Sequence, residues 1–233
     1  MRGMRGISGT HSTARAGRLS AATLLALALA PAWMLAPAGA QTDDADWEAI
    51  LALAAAEDQA LAGGDADALV AAACLRAQSG ITIIDAPDPA GTLLQAAARR
   101  GGNRVQKARV ARALAAWRAG SLAAAPACGG APDVLRGVDG IAEFRFTLAP
   151  GRPHLEPLAV RAGEPLRLLV LGDIDSRVGL VLRDEAERRL CEQAPEGRTA
   201  RCQGFPKGTG QRRWSLQVST AGRLPVRARL YVK

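Results

Sequence analysis

Two aspartates, Asp173 and Asp175, stand one residue apart in GDIDSRVGLVLRD, and Asp184 follows nine residues after the second. In an extended segment, residues i and i+2 point to the same side, so this pair could bridge a cation. Calcium takes six to eight oxygens and several carboxylates. The candidate calcium set is therefore Asp173, Asp175 and Asp184, with Arg177 competing for the same carboxylates. A second chemistry is hydrolytic, because a glycosidase-type pair needs carboxyls about 5–9 Å apart across a cleft. The third reading is architectural: an aspartate-rich turn closed by side-chain to backbone hydrogen bonds, opening a strand.

Other reactive side chains are few. His154, in GRPHLEP, is the only histidine after residue 40, so any Ser-His or Cys-His mechanism must use it. It reads as a surface-loop residue, and no G-x-S-x-G elbow accompanies it. GFPKGTG lacks the spacing of a phosphate-binding loop and reads as a hairpin loop. The mature aromatics fall mostly on expected core faces, which leaves no platform for stacking sugars. Cys74, Cys128, Cys191 and Cys202 make an even count, which in an oxidising compartment suggests two disulfides. Cys191 with Cys202 closes a short loop, and Cys74 with Cys128 follows by elimination. There is no C-x-x-C, so zinc is not indicated.

The first forty residues explain the compartment. Arg2, Arg5, Arg15 and Arg18 precede the apolar run LSAATLLALALAPAWMLA, which ends in Ala38-Gly39-Ala40. This is the pattern of a secretory signal peptide, residues 1–40, with cleavage after Ala40. The mature chain is then periplasmic or extracellular, with no further span expected. The whole chain carries +8, and four of its cations lie in this leader. The remainder is uneven: residues 138–233 hold seventeen basic and eleven acidic side chains. A basic half can favour anionic partners. Nearly every base is arginine, however, beside abundant alanine, which reads as genome composition, so a nucleic-acid partner is not expected.

The elements that must position these residues divide the mature chain in two. Over residues 41–123 the period is helical. Trp47, Ile50, Leu51, Ala54 and Leu61 share one face, and Gly63-Gly64 ends that helix. Asp65, Asp88 (before Pro89) and Asn103 are expected N-caps of three more helices. Val110, Leu114 and Trp117 form the stripe of the last. Residues 124–137, rich in Ala, Pro and Gly, read as a linker. From 138 to 233 the period becomes two. Phe144, Phe146 and Leu148 alternate with polar neighbours, as do Trp214, Leu216 and Val218, and Val226, Ala228, Leu230 and Val232. Turn residues separate about seven or eight short strands, the pattern of an antiparallel sandwich. Arg227, Arg229 and Lys233 then lie on its solvent face. The fold class is α+β: a small helical region followed by a jelly-roll-like sandwich.

The C-terminal half resembles the bacterial pre-peptidase C-terminal β-sandwich domain over about residues 137–233. Gly172-Asp173-Ile174-Asp175 fills that family's acidic turn, and Val178, Leu180 and Leu182 fill the strand after it. Asp184 follows, then Phe205-Pro206, Thr209-Gly210, Trp214 and Tyr231. Arg177 stands where the fuller acidic version has a third acid. The resemblance implies a small non-catalytic sandwich accompanying secreted proteins, sometimes with calcium at the acidic turn. The reading is thus a secreted or periplasmic, non-enzymatic binding or structural accessory protein. Its alternatives are a calcium-stabilised adhesive module and a hydrolase using Asp173 and Asp175. The partner expected is a protein or a component of the cell envelope.

Overall fold

The computed structural model describes residues 41–129, 135, 138 and 140–233. The signal peptide expected over residues 1–40 lies outside the described residues, as do several positions of the expected linker.

Four helices come first: α1 (Gln41–Gly63), α2 (Ala66–Gln78), α3 (Pro89–Arg100) and α4 (Arg104–Arg118). Their starts are fixed by side chains. Asp65 accepts from the Ala68 N–H and Asp88 from the Ala90 N–H. Asn103 and Gln106 form a reciprocal capping box, which satisfies amide donors that have no intrahelical acceptor. Helices α2 to α4 bury Leu69, Val70, Leu93, Leu94, Val110 and many alanines together. Small side chains permit close approach. At Gly91 a Cβ would sit 2.2 Å from the Trp117 ring, so that contact requires glycine.

One strand lies among the helices: β1 (Thr82–Ile84), between α2 and α3. It escapes a periodicity reading because three residues are too few to show alternation. The other eight are β2 (Ala142–Leu148), β3 (His154–Arg161), β4 (Leu166–Gly172), β5 (Val178–Arg183), β6 (Arg189–Gly197), β7 (Thr199–Gly204), β8 (Gln211–Thr220) and β9 (Val226–Val232). A five-stranded sheet runs β1-β2-β9-β4-β7, and a four-stranded sheet runs β3-β8-β5-β6. All pairs are antiparallel except β1 with β2. This is an α+β molecule with a two-sheet sandwich. Pro157 sits in β3, an edge strand, where a missing N–H is tolerated.

The space between the sheets is filled by Leu148, Leu168, Val170, Leu180, Leu182, Trp214, Leu216, Val218 and Leu230. The alternating residues identified in the sequence do point inward. GFPKGTG does not close a hairpin. It carries the chain from β7 in one sheet to β8 in the other.

A second layer lies outside the five-stranded sheet. Trp47, Ile50, Leu53 and Ala54 of α1 pack on Leu169, Leu171 and Tyr231, with Ile81, Leu135, Val138 and Ile141. Helices and strands share one compact unit. The described part of residues 121–138 is anchored by a 3-10 turn over Leu122–Ala124, by buried Leu122 and Ala125, and by Cys128.

Candidate functional site

The acidic turn joins β4 to β5, crossing from one sheet to the other. Ser176 donates to the Asp173 carbonyl from both its N–H (3.1 Å) and its hydroxyl (2.6 Å). The turn is so tight that a Cβ at Gly172 would meet the Ser176 Oγ at 2.1 Å. The Asp173 carboxylate accepts from the Arg227 N–H at 2.9 Å, which ties the turn to the start of β9. Asp175 takes a left-handed φ of 67°, a conformation short polar side chains tolerate.

Asp184 does not join them. It follows β5 at the far end of that six-residue strand, about 20 Å away at 3.3 Å per residue. Its carboxylate accepts from the backbone N–H groups of Ala186 and Arg188 and from the Arg188 guanidinium. Burial works to raise the Asp184 pKa. The hydrogen bonds from Arg188 and Ala186 outweigh it and hold the carboxyl below its ordinary value. Among the described residues no group of three or more His, Cys, Asp and Glu side chains is placed to hold a metal ion.

His154 is not in a loop. It begins β3, where its ring stacks on Phe146 with centroids 4.0 Å apart and its Nε2 lies 3.1 Å from Glu156. Cys74 is bonded to Cys128, and Cys191 to Cys202. The first bond ties α2 to the segment after α4. The second ties β6 of the four-stranded sheet to β7 of the five-stranded one.

The densest polar cluster is one that sequence reading missed. On the outward face of the five-stranded sheet, Glu143 and Arg145 of β2 lie beside Tyr231 and Arg229 of β9. These side chains do not face solvent, contrary to what the alternation suggested for Arg229. Helix α1 covers them and contributes Glu57 and Asp58. Arg229 donates to Glu57 at 3.0 Å and to Asp58 at 2.6 Å. Arg198, from the β6–β7 turn, reaches Asp58 at 2.8 Å. Arg76 of α2 bonds Glu143 and lies 3.7 Å from Glu57. Arg145 meets Glu143 at 2.5 Å and Glu57 at 3.4 Å. Lys233 pairs with Asp46 at the other end of the same helix.

Glu57, Arg76 and Glu143 are buried. Burial pushes the Glu57 pKa up, against the opposing pull of Arg229, Arg76 and Arg145 and with Glu143 reinforcing the rise. Tyr231 is fully buried, and its hydroxyl has no hydrogen-bond partner among the described residues. Burial, with the Glu143 charge adding to it, pushes that phenol far above its ordinary range. The carboxylates here are occupied by guanidinium groups, so the cluster acts as an electrostatic staple. One signal was available in the sequence. Glu57 and Asp58 follow Ala54 by three and four residues, on the apolar face of α1, and Leu61, expected there, is half exposed.

Two of the surface clefts share Ile174 in their lining. An alanine-lined groove of about 1030 Å³ runs along α1 and α2, with Leu75, Ile174 and Arg198 at its borders. A smaller cleft of about 430 Å³ lies between the β4–β5 and β8–β9 loops, lined by Ile174, Arg177, Arg223 and Leu224. No helix among the described residues is long and apolar enough to cross a membrane.

No protein-family model matches the chain, and no curated protein does. Solved structures similar to part of it include the pre-peptidase C-terminal domain of a collagenase from Bacillus anthracis. That likeness has 17% identity over 39% of this chain and 87% of the other, with a TM-score of 0.32. The Yersinia pseudotuberculosis-derived mitogen is similar at 10% identity over 40% of this chain and 85% of its own, TM-score 0.34. PliG, a periplasmic inhibitor of g-type lysozyme from Aeromonas hydrophila, is similar at 14% identity over 40% and 84%, TM-score 0.30. These neighbours include the domain type that the acidic turn and its strand suggested, and at these scores they carry no argument about activity.

Proposed function

We propose that this is an exported, non-enzymatic accessory protein that binds a cell-envelope component through its sandwich. One observation carries the reading: apart from Asp175, the candidate reactive side chains are engaged in holding the fold. Asp173 secures β9, Asp184 closes its own turn, His154 stacks on Phe146, and the four cysteines are bonded. Large apolar side chains stand exposed at both ends of the sandwich: Ile174 and Leu224 at one, Phe205 and Leu190 at the other. Two disulfides favour an oxidising compartment, in keeping with a signal peptide over residues 1–40 and a mature chain starting at Gln41.

Expression of the full-length chain in a bacterial host tests both parts. The protein is expected outside the cytoplasm with its mass beginning at Gln41 and no thiol open to alkylation. Glycoside and ester substrates are expected to show no turnover that depends on the acidic turn. Hydrolysis abolished by Asp173→Asn or Asp175→Asn at unchanged melting temperature would establish a hydrolase instead.

A further inference from the structure

The strand pairing gathers four connections at one end of the sandwich. Leu148 pairs with Val226, His154 with Val218, Gly172 with Ala228, and Val178 with both Gly197 and Thr220. The β2–β3, β4–β5, β6–β7 and β8–β9 connections therefore lie together. From two of them project large aliphatic side chains, Ile174 at 60% exposure and Leu224 at 76%. Both line the same shallow cleft, with Arg177 and Arg223 beside them.

The cations at this end differ from those at the other. At the far end Arg161 pairs with Glu164, Arg188 with Asp184, Arg189 with Glu192 and Arg212 with Glu185. Here Arg152, Arg177, Arg223 and Arg227 are exposed, and their guanidinium groups have no ion-pair partner among the described residues. Asp173 and Asp175 are the only acids in these loops, and Asp173 is engaged by the Arg227 N–H. The end is thus basic on balance, and its cleft is lined by the two aliphatic tips, Arg177, Arg223 and the two aspartates.

We propose that this loop end docks on an anionic phospholipid surface. Ile174 and Leu224 would insert among the headgroups, and Arg177 and Arg223 would hold phosphate oxygens beside them. Aliphatic groups on the tips and basic groups behind them are what interfacial binding requires, since buried apolar area and attraction to anionic lipid add. Guanidinium groups match phosphate with two parallel hydrogen bonds. A protein partner would call for a broader patch, about 800 Å² on each side, and aromatic anchors, whereas only two separated aliphatic side chains stand out at this end.

The proposal rests on the reading of the protein as a binding module. The test uses the purified exported protein, sedimented with phosphatidylglycerol–phosphatidylcholine vesicles and with phosphatidylcholine vesicles alone. Binding is expected only to the mixed vesicles, falling as salt rises. Ile174→Ser with Leu224→Ser should lower partitioning about tenfold or more. Arg177→Gln and Arg223→Gln should each lower it about fivefold. Val105→Ser, an exposed apolar position on α4, should change nothing. All these positions are exposed, so melting temperatures should match the parent and exclude misfolding as a cause. Equal binding to neutral vesicles, binding indifferent to the Ile174/Leu224 pair, or no binding overturns the proposal. That failure leaves the non-enzymatic reading standing, which falls only to turnover dependent on Asp173 or Asp175.

Discussion

The two sheets have outer faces written in the same pattern and used in opposite ways. On the four-stranded sheet, Arg213, Ser215 and Gln217 alternate with buried Trp214, Leu216 and Val218 and are open or half open to solvent. On the five-stranded sheet, Arg227, Arg229 and Tyr231 alternate with buried Val226, Ala228 and Leu230, yet Tyr231 is fully buried and Arg229 lies beneath α1. Period-two alternation says which residues share a face. It does not say what covers that face. A face of arginine and glutamate can be solvent-exposed or can be the polar half of an interface, provided another element supplies matching charge. Here α1 does so with Glu57 and Asp58, and α2 with Arg76.

Substitutions test this contrast. The largest effect is expected from Arg76→Met, which strips Glu143 and Glu57 of a buried partner and should cost about 3–5 kcal/mol in urea unfolding. A loss below 1 kcal/mol would mean the staple contributes little. Removing the disulfide that joins the sheets, with Cys191→Ser and Cys202→Ser, should cost about 3 kcal/mol in the chain-entropy model. Differential scanning calorimetry under non-reducing conditions would measure it.

The two regions should also answer pH with opposite signs. Glu57 holds its proton more tightly when folded than its ordinary value of 4.5. Its contribution to stability is therefore complete below that pH and is lost as pH rises through the raised value. Asp184 behaves in reverse. Its contribution is complete above its ordinary value of 3.8 and is lost as acid titrates the lowered folded value. Unfolding across that range should show the Glu57 slope vanish in Glu57→Gln and the Asp184 slope vanish in Asp184→Asn.

Smaller effects remain. Tyr231→Phe removes a buried hydroxyl that has no hydrogen-bond partner among the described residues. It should stabilise the protein by about 1 kcal/mol, and destabilisation would reveal a hydrogen bond the hydroxyl makes. Arg213→Met, on the open face, should stay within about 0.5 kcal/mol. Comparable losses at Arg213 and Arg76 would erase the distinction between the two faces.

Much of the fold was legible because local chemistry specifies it. Asp65, Asp88 and Asn103 cap helices where expected, and the inward strand residues have the expected parity. The pairing of Cys191 with Cys202 follows from proximity in sequence. What was not legible is long-range. Strand β1 is too short to show a period, and it exists because β2 lies beside it. His154 looked like a loop residue because Arg-Pro precedes it and the ring it stacks on belongs to another strand. The charge cluster draws on α1, α2, β2, β9 and the β6–β7 turn, so no local window contains it. The acidic turn drew attention through composition alone, but Asp184 sits a full strand away from Asp173 and Asp175.

The order of strands in the larger sheet also governs when the molecule can come together. Strand β9 is the latest in sequence, yet it stands at the centre of the five-stranded sheet, between β2 and β4. Until it arrives, β2 and β4 have no common neighbour, and α1 lacks Arg229, Tyr231 and Lys233 beneath it. Early segments must therefore wait for a late one, a long-range arrangement that slows folding. Under the proposed export of an unfolded chain, the sheet would close only after β9 had followed the earlier strands across.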